Sequence, residues 1–337
     1  MTAQEHDRII DLIKREVVLS IGCTEPMAVS LCVAKACETL GVKPQRIEVA
    51  LSANIYKNAM GVGIPNSGMT GLPIAVALGA VAGHSEYGLA VLRDVTKEDV
   101  ERAKSFLERV APSISVTDES DDILFIKVSV EAGNDSAEVI ISGTHTNFSS
   151  IRRNGEEVAS SEAVKSVVIE SEDLELSMRK VYDFATEVPI ENIEFIGETA
   201  EKNVAAAKLS FGGNYGHGLG AMLHSGVAKE IFGDTLFTNI LAHTSGACDA
   251  RMSGAMVPIM SNSGSGNQGI SATVPVAVFA EANGADREKT LRALVLSHLT
   301  VIYIKQSLGR LSALCGCVVA ATGSACGITY LMGGGFN

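Results

Sequence analysis

The chain has 337 residues, 46% of them hydrophobic and 20% charged, proportions that exclude a disordered or fibrous protein. Asp and Glu outnumber Lys and Arg by 39 to 27, so a net charge of −12 repels nucleic-acid phosphates and anionic lipid and excludes both as partners. Aromatic residues make only 5% while glycine reaches 33, so the core must be packed from small and aliphatic side chains with backbones in close approach.

In chain order, the first 18 residues read as an amphipathic helix. Thr2 and Glu5 form a capping box, and Ile9, Ile10, Ile13 and Val17 share one face. The turn Ser20-Ile-Gly-Cys23-Thr-Glu-Pro26 follows, with its proline where a first helical turn tolerates one; a small-residue helix then runs to Leu40 and ends at Gly41. Residues 46–51 alternate as a strand, 96–110 form a solvated helix, and 123–130 with 137–142 make a hairpin turning at 132–135. Between 156 and 175 the composition becomes polar and acidic, which marks a boundary. Beyond it, helical spacing recurs at 178–186, 200–209, 216–227, 238–243 and 287–307. The expected fold class is α+β, with a mixed lobe over 1–175 carrying a small antiparallel sheet and a helical lobe over 176–337. Two uncharged stretches, 61–84 and 311–332, are rich in Gly, Pro, Ser or Cys and read as buried helices rather than membrane spans. Seven cysteines, an odd number, and no leader-like N-terminus fit a reducing cytoplasm.

Gly264-Ser-Gly266-Asn-Gln-Gly269 matches the glycine pattern of dinucleotide-binding turns, which has meaning only between a strand and a helix of a βαβ unit. Pro258 and Pro275 flank it and its neighbours read as helical, so the context argues against a nucleotide. The surrounding loop Ser261-Asn-Ser-Gly-Ser-Gly-Asn267 offers small donors and backbone N–H groups suited to a carboxylate, which makes Asn262, Ser263, Gly264, Ser265, Gly266 and Asn267 candidate substrate contacts. His145 and Asn147, in Gly143-Thr-His145-Thr-Asn147 after the second hairpin strand, are further candidates. Ser177-Met-Arg-Lys180 is a chance S-x-x-K on a charged helix, and His217 and His224, seven apart on one helix face, lack the neighbours of a metal site. Cys32 and Cys37 read as buried apolar residues. Cys23 differs, because the positive end of the following helix stabilises its thiolate and makes it a usable base or nucleophile. Cys248, Cys315, Cys317 and Cys326 are soft donors for zinc or iron–sulfur, although on a helix the side chains of Cys315 and Cys317 diverge.

Several segments together carry a specific resemblance: Gly22-Cys-Thr-Glu-Pro26, Gly68-Met-Thr-Gly-Leu-Pro-Ile74, His145-Thr-Asn147, Asp249-Ala-Arg-Met-Ser-Gly254, Met260-Ser-Asn-Ser-Gly-Ser-Gly-Asn-Gln-Gly-Ile270 and Leu311-Ser-Ala-Leu-Cys315. The chain resembles the L-cysteine desulfidases, relatives of the α chain of iron–sulfur L-serine dehydratases. The resemblance implies an oxygen-sensitive [4Fe–4S] lyase, independent of pyridoxal phosphate, that converts L-cysteine or L-serine to pyruvate and ammonia with release of sulfide or water. In this family three cysteines hold the cluster and its open iron acts as the Lewis acid; the first ligand corresponds to Cys315, and the proposed base to Cys23. Family members continue into a segment with Cys-Asp-Gly-Ala and a further Cys, the other two ligands, whereas this sequence ends at Gly333-Gly-Gly-Phe-Asn337. The expectation is therefore a C-terminally shortened chain, with an incomplete ligand set, that binds a cluster poorly or not at all. The competing expectations are an inactive paralogue that keeps the fold and binds a small carboxylate and, on the glycine motif alone, a nicotinamide-dependent oxidoreductase. The expected partner is a small amino acid; a homo-oligomer is compatible with the sequence, which does not set the oligomeric state.

Overall fold

A computed structural model describes residues 1–159, 174–308 and 315–336. The chain divides into two compact units, one made of Met1–Ile21, Leu174–Met252 and Val257–Asn337, the other of Gly22–Asp173 and Ser253–Met256. The fold is α+β, as the sequence predicts, but the units are not the contiguous 1–175 and 176–337.

The second unit is built on a six-stranded sheet in the order Ser113–Val116, Arg46–Leu51, Phe125–Ala132, Asp135–Ser142, Phe148–Arg153 and Glu156–Ala159. All neighbours are antiparallel except the first pair, which is parallel because the chain crosses over through intervening helices before laying down Ser113–Val116. The sheet is thus larger than the hairpin pattern suggested. Alternation buries Ile47, Val49, Leu51, Ile126, Val128, Val130, Val139 and Ile141, and the helix Thr24–Leu40 packs against Phe125–Ala132, Asp135–Ser142 and Phe148–Arg153. The hairpin turns on Gly133, whose φ of +61° only glycine adopts cheaply, so Ala132 already pairs with Asp135. The 61–84 stretch is not one helix: a short ribbon of Gly63–Ile64 and Met69–Thr70 precedes the helix Leu72–Ala82. That helix approaches Thr24–Leu40 closely, since a Cβ at Gly79 would lie 2.7 Å from the Ser30 carbonyl oxygen, and Ser30 Oγ donates to Ala75 O at 2.8 Å. Small residues are what this approach requires.

The other unit is helical. Its first helix, Ala3–Glu16, begins at the predicted Thr2–Glu5 capping box and buries Ile9 and Ile13 in one cluster with Phe184, Ile196, Leu294 and Leu299. The apolar face of this helix therefore finds its partners among the later helices, which explains why the unit is discontinuous. Met178–Glu187 is capped by Ser177 Oγ, which accepts from Lys180 N at 3.2 Å, so the S-x-x-K pattern is an N-cap. Gly197–Phe211 follows. The expected 216–227 helix is two, Leu219–His224 and Gly226–Phe232, broken at Ser225, whose hydroxyl caps the second. Residues 238–243 lie inside the longer helix Leu236–Met252. Pro275 does not interrupt Gly266–Ala282; the helix packs against Leu236–Met252, Arg287–Leu308 and Gly316–Leu331, and this burial offsets the about 3 kcal/mol that an internal proline costs. No helix among the described residues is long and apolar enough to cross a membrane.

Candidate functional site

The glycine-rich loop is held at both ends. Leu19–Ile21 pairs antiparallel with Pro258–Met260, and Ser261 donates through both N and Oγ to Val18 O at 2.8 Å. Ser263 and Gly264 then take positive φ, +48° and +80°, and Asn262 and Ser265 exchange backbone bonds of 3.1 and 3.0 Å across the turn. Ser265 caps the helix Gly266–Ala282 by accepting from Gln268 N. A strand does precede the glycine motif, contrary to the helical reading, but it belongs to a two-stranded antiparallel pair, so the βαβ context of a dinucleotide turn is missing.

A buried polar network fixes this loop from behind. Asn203 Nδ2 donates to Met260 O at 3.1 Å and to Thr273 Oγ1 at 3.2 Å, while its Oδ1 accepts from Met260 N at 2.8 Å. Thr273 Oγ1 donates to Gly269 O at 2.8 Å, so it can only accept from His298 Nε2 at 2.9 Å. His298 is therefore the neutral Nε2–H tautomer, and its Nδ1 accepts from Asn262 Nδ2 at 2.9 Å. Complete burial agrees, pushing the imidazole pKa down to about 3. Asn262 Oδ1 takes the Ser263 hydroxyl at 2.8 Å, and Gln268 Nε2 donates to Asn262 O at 3.0 Å. The side chains of Asn262 and Ser263 thus build the loop. Its open donors are the N–H groups of Gly264, Gly266 and Asn267, which have no partner among the described residues. Arg251, 5% exposed, donates from Nη1 to Asn267 Oδ1 at 3.1 Å.

Cys315 lies in the same unit as the N-cap of Gly316–Leu331 and is exposed; residues 311–314 of its motif lie outside the described residues. A Cβ on Gly316 would come within 3.2 Å of Gln268 Oε1, so the starts of the two helices meet. Because Cys315 is a cap and not a helical residue, its sulfur does not diverge from that of Cys317 as expected. Desolvation, followed by the neighbouring Cys315, pushes the thiol of exposed Cys317 up, and its sulfur lies 3.9 Å from Ser271 Oγ. Burial first, and Cys317 next, push Cys248 up to about 12. Three thiols therefore lie in one neighbourhood. Even so, no group of three His, Cys, Asp or Glu among the described residues is placed to hold a metal ion. The residues described do not fit a cluster bound by three cysteines.

Cys23, His145 and Asn147 belong to the other unit. Cys23 is the N-cap of Thr24–Leu40 but does not cap it; its thiol donates to Glu25 Oε2 at 3.0 Å. Thr24 Oγ1 also donates to Oε2, at 3.1 Å, and Asn58 Nδ2 to Oε1 at 3.2 Å, so three donors converge on a buried carboxylate. His145 is half-buried in the turn between Asp135–Ser142 and Phe148–Arg153. Asn147 closes that turn, donating from Nδ2 to Ser142 O at 3.1 Å. His217 and His224 do not share a helix face: His217 precedes Leu219–His224, its N–H held by Asp249, and His224 stacks on Phe211 at 4.0 Å. Asn58, Arg251 and His298 escaped the sequence reading because their partners are brought to them by the fold; Glu25 was missed although two of its donors, Cys23 and Thr24, are its chain neighbours.

One unit thus holds a thiol hydrogen-bonded to a buried carboxylate, and the other a loop with open N–H groups at a helix start. The chain belongs to the family described as serine dehydratase alpha chain, which it matches over residues 86–337. Among its relatives, a UPF0597 protein of Bacteroides thetaiotaomicron is 59% identical over the whole of this chain and 79% of its own length, and UPF0597 protein BF3560 of Bacteroides fragilis gives the same figures. A UPF0597 protein of Porphyromonas gingivalis is 51% identical over 99% of this chain and 78% of its own length.

Proposed function

We propose that the protein is a cytoplasmic lyase that eliminates the β-substituent of L-cysteine or L-serine. The α C–H and β C–S or C–O bonds break, a carbon–carbon double bond forms, and tautomerisation and hydrolysis of the resulting enamine give pyruvate and ammonia, with sulfide or water as the third product. The observation that carries the reading is Cys23, set at a helix start with its proton directed to Glu25, within a chain of the serine dehydratase family. The positive end of Thr24–Leu40 favours Cys23 as a thiolate, the form able to take the α-proton, and Glu25 accepts the hydrogen bond of the protonated thiol. Within the helical unit, the loop N–H groups of Gly264, Gly266 and Asn267 receive a carboxylate, and Ser265 with the His298-anchored Asn262 and Ser263 keeps those groups in place; His145 and Asn147 are candidate substrate contacts of the other unit.

The resemblance also implies a [4Fe–4S] cluster with Cys315 at the position of the first ligand. The described residues supply no set of three, so iron and acid-labile sulfide analysis of anaerobically purified protein is the direct measure of that part of the reading. The function is tested by pyruvate formation from L-cysteine and L-serine, with the ratio of kcat/KM deciding between them, and by exchange of the α-proton in deuterated water. Cys23→Ala should abolish exchange; retained exchange removes Cys23 as the base. A second reading, a non-catalytic paralogue that binds a small carboxylate, would be selected by binding without any pyruvate formation.

A further inference from the structure

Among the described residues, Arg251 is a buried cation without a counter-ion. It is 5% exposed, no Asp or Glu among the described residues forms an ion pair with it, and nearby Asp249 is taken by the N–H groups of His217 and Gly220 at 3.1 and 3.0 Å. Its Nη1 is used, donating to Asn267 Oδ1 at 3.1 Å and lying 3.2 Å from Met252 Sδ. Its Nε is buried with no hydrogen-bond partner, and Nη2 donates to no group among the described residues. A buried charge in that state is costly unless something completes it. Gly266 explains where it lies: a Cβ there would fall 2.1 Å from Nε and 2.6 Å from Cζ, so glycine alone admits the guanidinium to the first turn of Gly266–Ala282. The unpaired edge of Arg251 and the open N–H groups of Gly264, Gly266 and Asn267 thus occupy the same helix start.

We infer that Arg251 is a substrate-binding residue: its Nε/Nη2 edge clamps the α-carboxylate of an amino acid, which the loop N–H groups also receive. The Nε–H and Nη2–H donors form the planar fork that matches two carboxylate oxygens, and the tie from Nη1 to Asn267 holds that fork in register with the loop. One guanidinium offsets one negative charge, which suits a carboxylate better than a phosphate dianion. The inference rests on the proposed function for the identity of the ligand, but the site itself stands on Arg251.

The test uses L-alanine, which has the carboxylate and amine of the substrates and no leaving group, titrated into the complete chain by calorimetry. The wild type should bind L-alanine, should not bind L-alaninamide, and should bind inorganic phosphate more weakly than L-alanine. Arg251→Gln should weaken L-alanine binding by about 10- to 100-fold, with Arg251→Lys in between. Should the glutamine variant fail to fold, the Nε–H resonance of Arg251 in the wild type should shift on titration with L-alanine and stay fixed with L-alaninamide. Equal affinity for acid and amide, tighter binding of phosphate, an unshifted resonance or unchanged affinity in a folded Arg251→Gln would each overturn the assignment, even if pyruvate is formed. Arg251-dependent binding of L-alanine with no pyruvate from any β-substituted amino acid would uphold the clamp and reject the lyase.

Discussion

Lowering the pH should destabilise the helical unit through a single ring. His298 stays neutral when folded because burial holds its pKa down to about 3, whereas the unfolded imidazole titrates near 6.5. Between those values the unfolded chain binds a proton that the folded chain refuses, so stability falls as pH drops below 6.5, by about 1.4 kcal/mol per unit, and the fall is complete below about 3. At pH 5 the loss is about 2 kcal/mol, near 3 °C in Tm for a chain of this length. Carboxylates also titrate in this range, so the comparison is with His298→Gln, whose amide offers a donor to Thr273 and an acceptor to Asn262. Urea unfolding followed by circular dichroism should show the wild type losing about 2 kcal/mol relative to that variant between pH 7.5 and 5. Histidine nitrogen NMR at pH 5 should show the proton on Nε2 alone. A folded His298 that titrates within one unit of 6.5, or parallel pH profiles for the two proteins, would refute the network as described.

Thr273→Val keeps the shape but strands a donor on Asn203 and another on His298, at a cost of about 3 kcal/mol in urea unfolding; a variant within 0.5 kcal/mol of the wild type would contradict this. Gly269→Ala should cost about 3 kcal/mol or prevent folding, because its Cβ would fall 2.1 Å from Met260 O and 2.6 Å from Ser261 C, backbone atoms that cannot step aside. Under iodoacetamide at neutral pH, exposed Cys315 should be alkylated first, while Cys32 and Cys37, both pushed up chiefly by burial, the latter to about 12, should resist until the protein unfolds. Mass mapping of the modified peptides would read the order.

Local chemistry was legible and long-range partnership was not. Thr2 with Glu5, the Gly41 stop and the alternation over Arg46–Leu51 each depend on neighbours a few residues away, and the structure keeps them all. Pro275 and Ser225 misled because their effects depend on what surrounds them: neighbouring helices carry the chain through the proline, while the serine both breaks one helix and starts the next. At the site, composition drew attention to the 262–267 loop, but Asn262 and Ser263 turn out to be its fasteners, and the backbone supplies its open donors. Nothing near Arg251 in the chain announces that its guanidinium will rest on Gly266.

The order of synthesis gives the discontinuous unit a particular history. Ala3–Glu16 is made before the sheet-bearing segment, yet Leu294 and Leu299, against which its isoleucines close, are made only after that segment. At about 5 to 20 residues per second that sticky stripe waits roughly 15 to 55 s. Meanwhile the sheet-bearing segment has time to organise independently. Nascent copies should therefore lean on holdase chaperones throughout translation, and a circular permutant that begins at residue 174 and joins the old ends should shed that dependence.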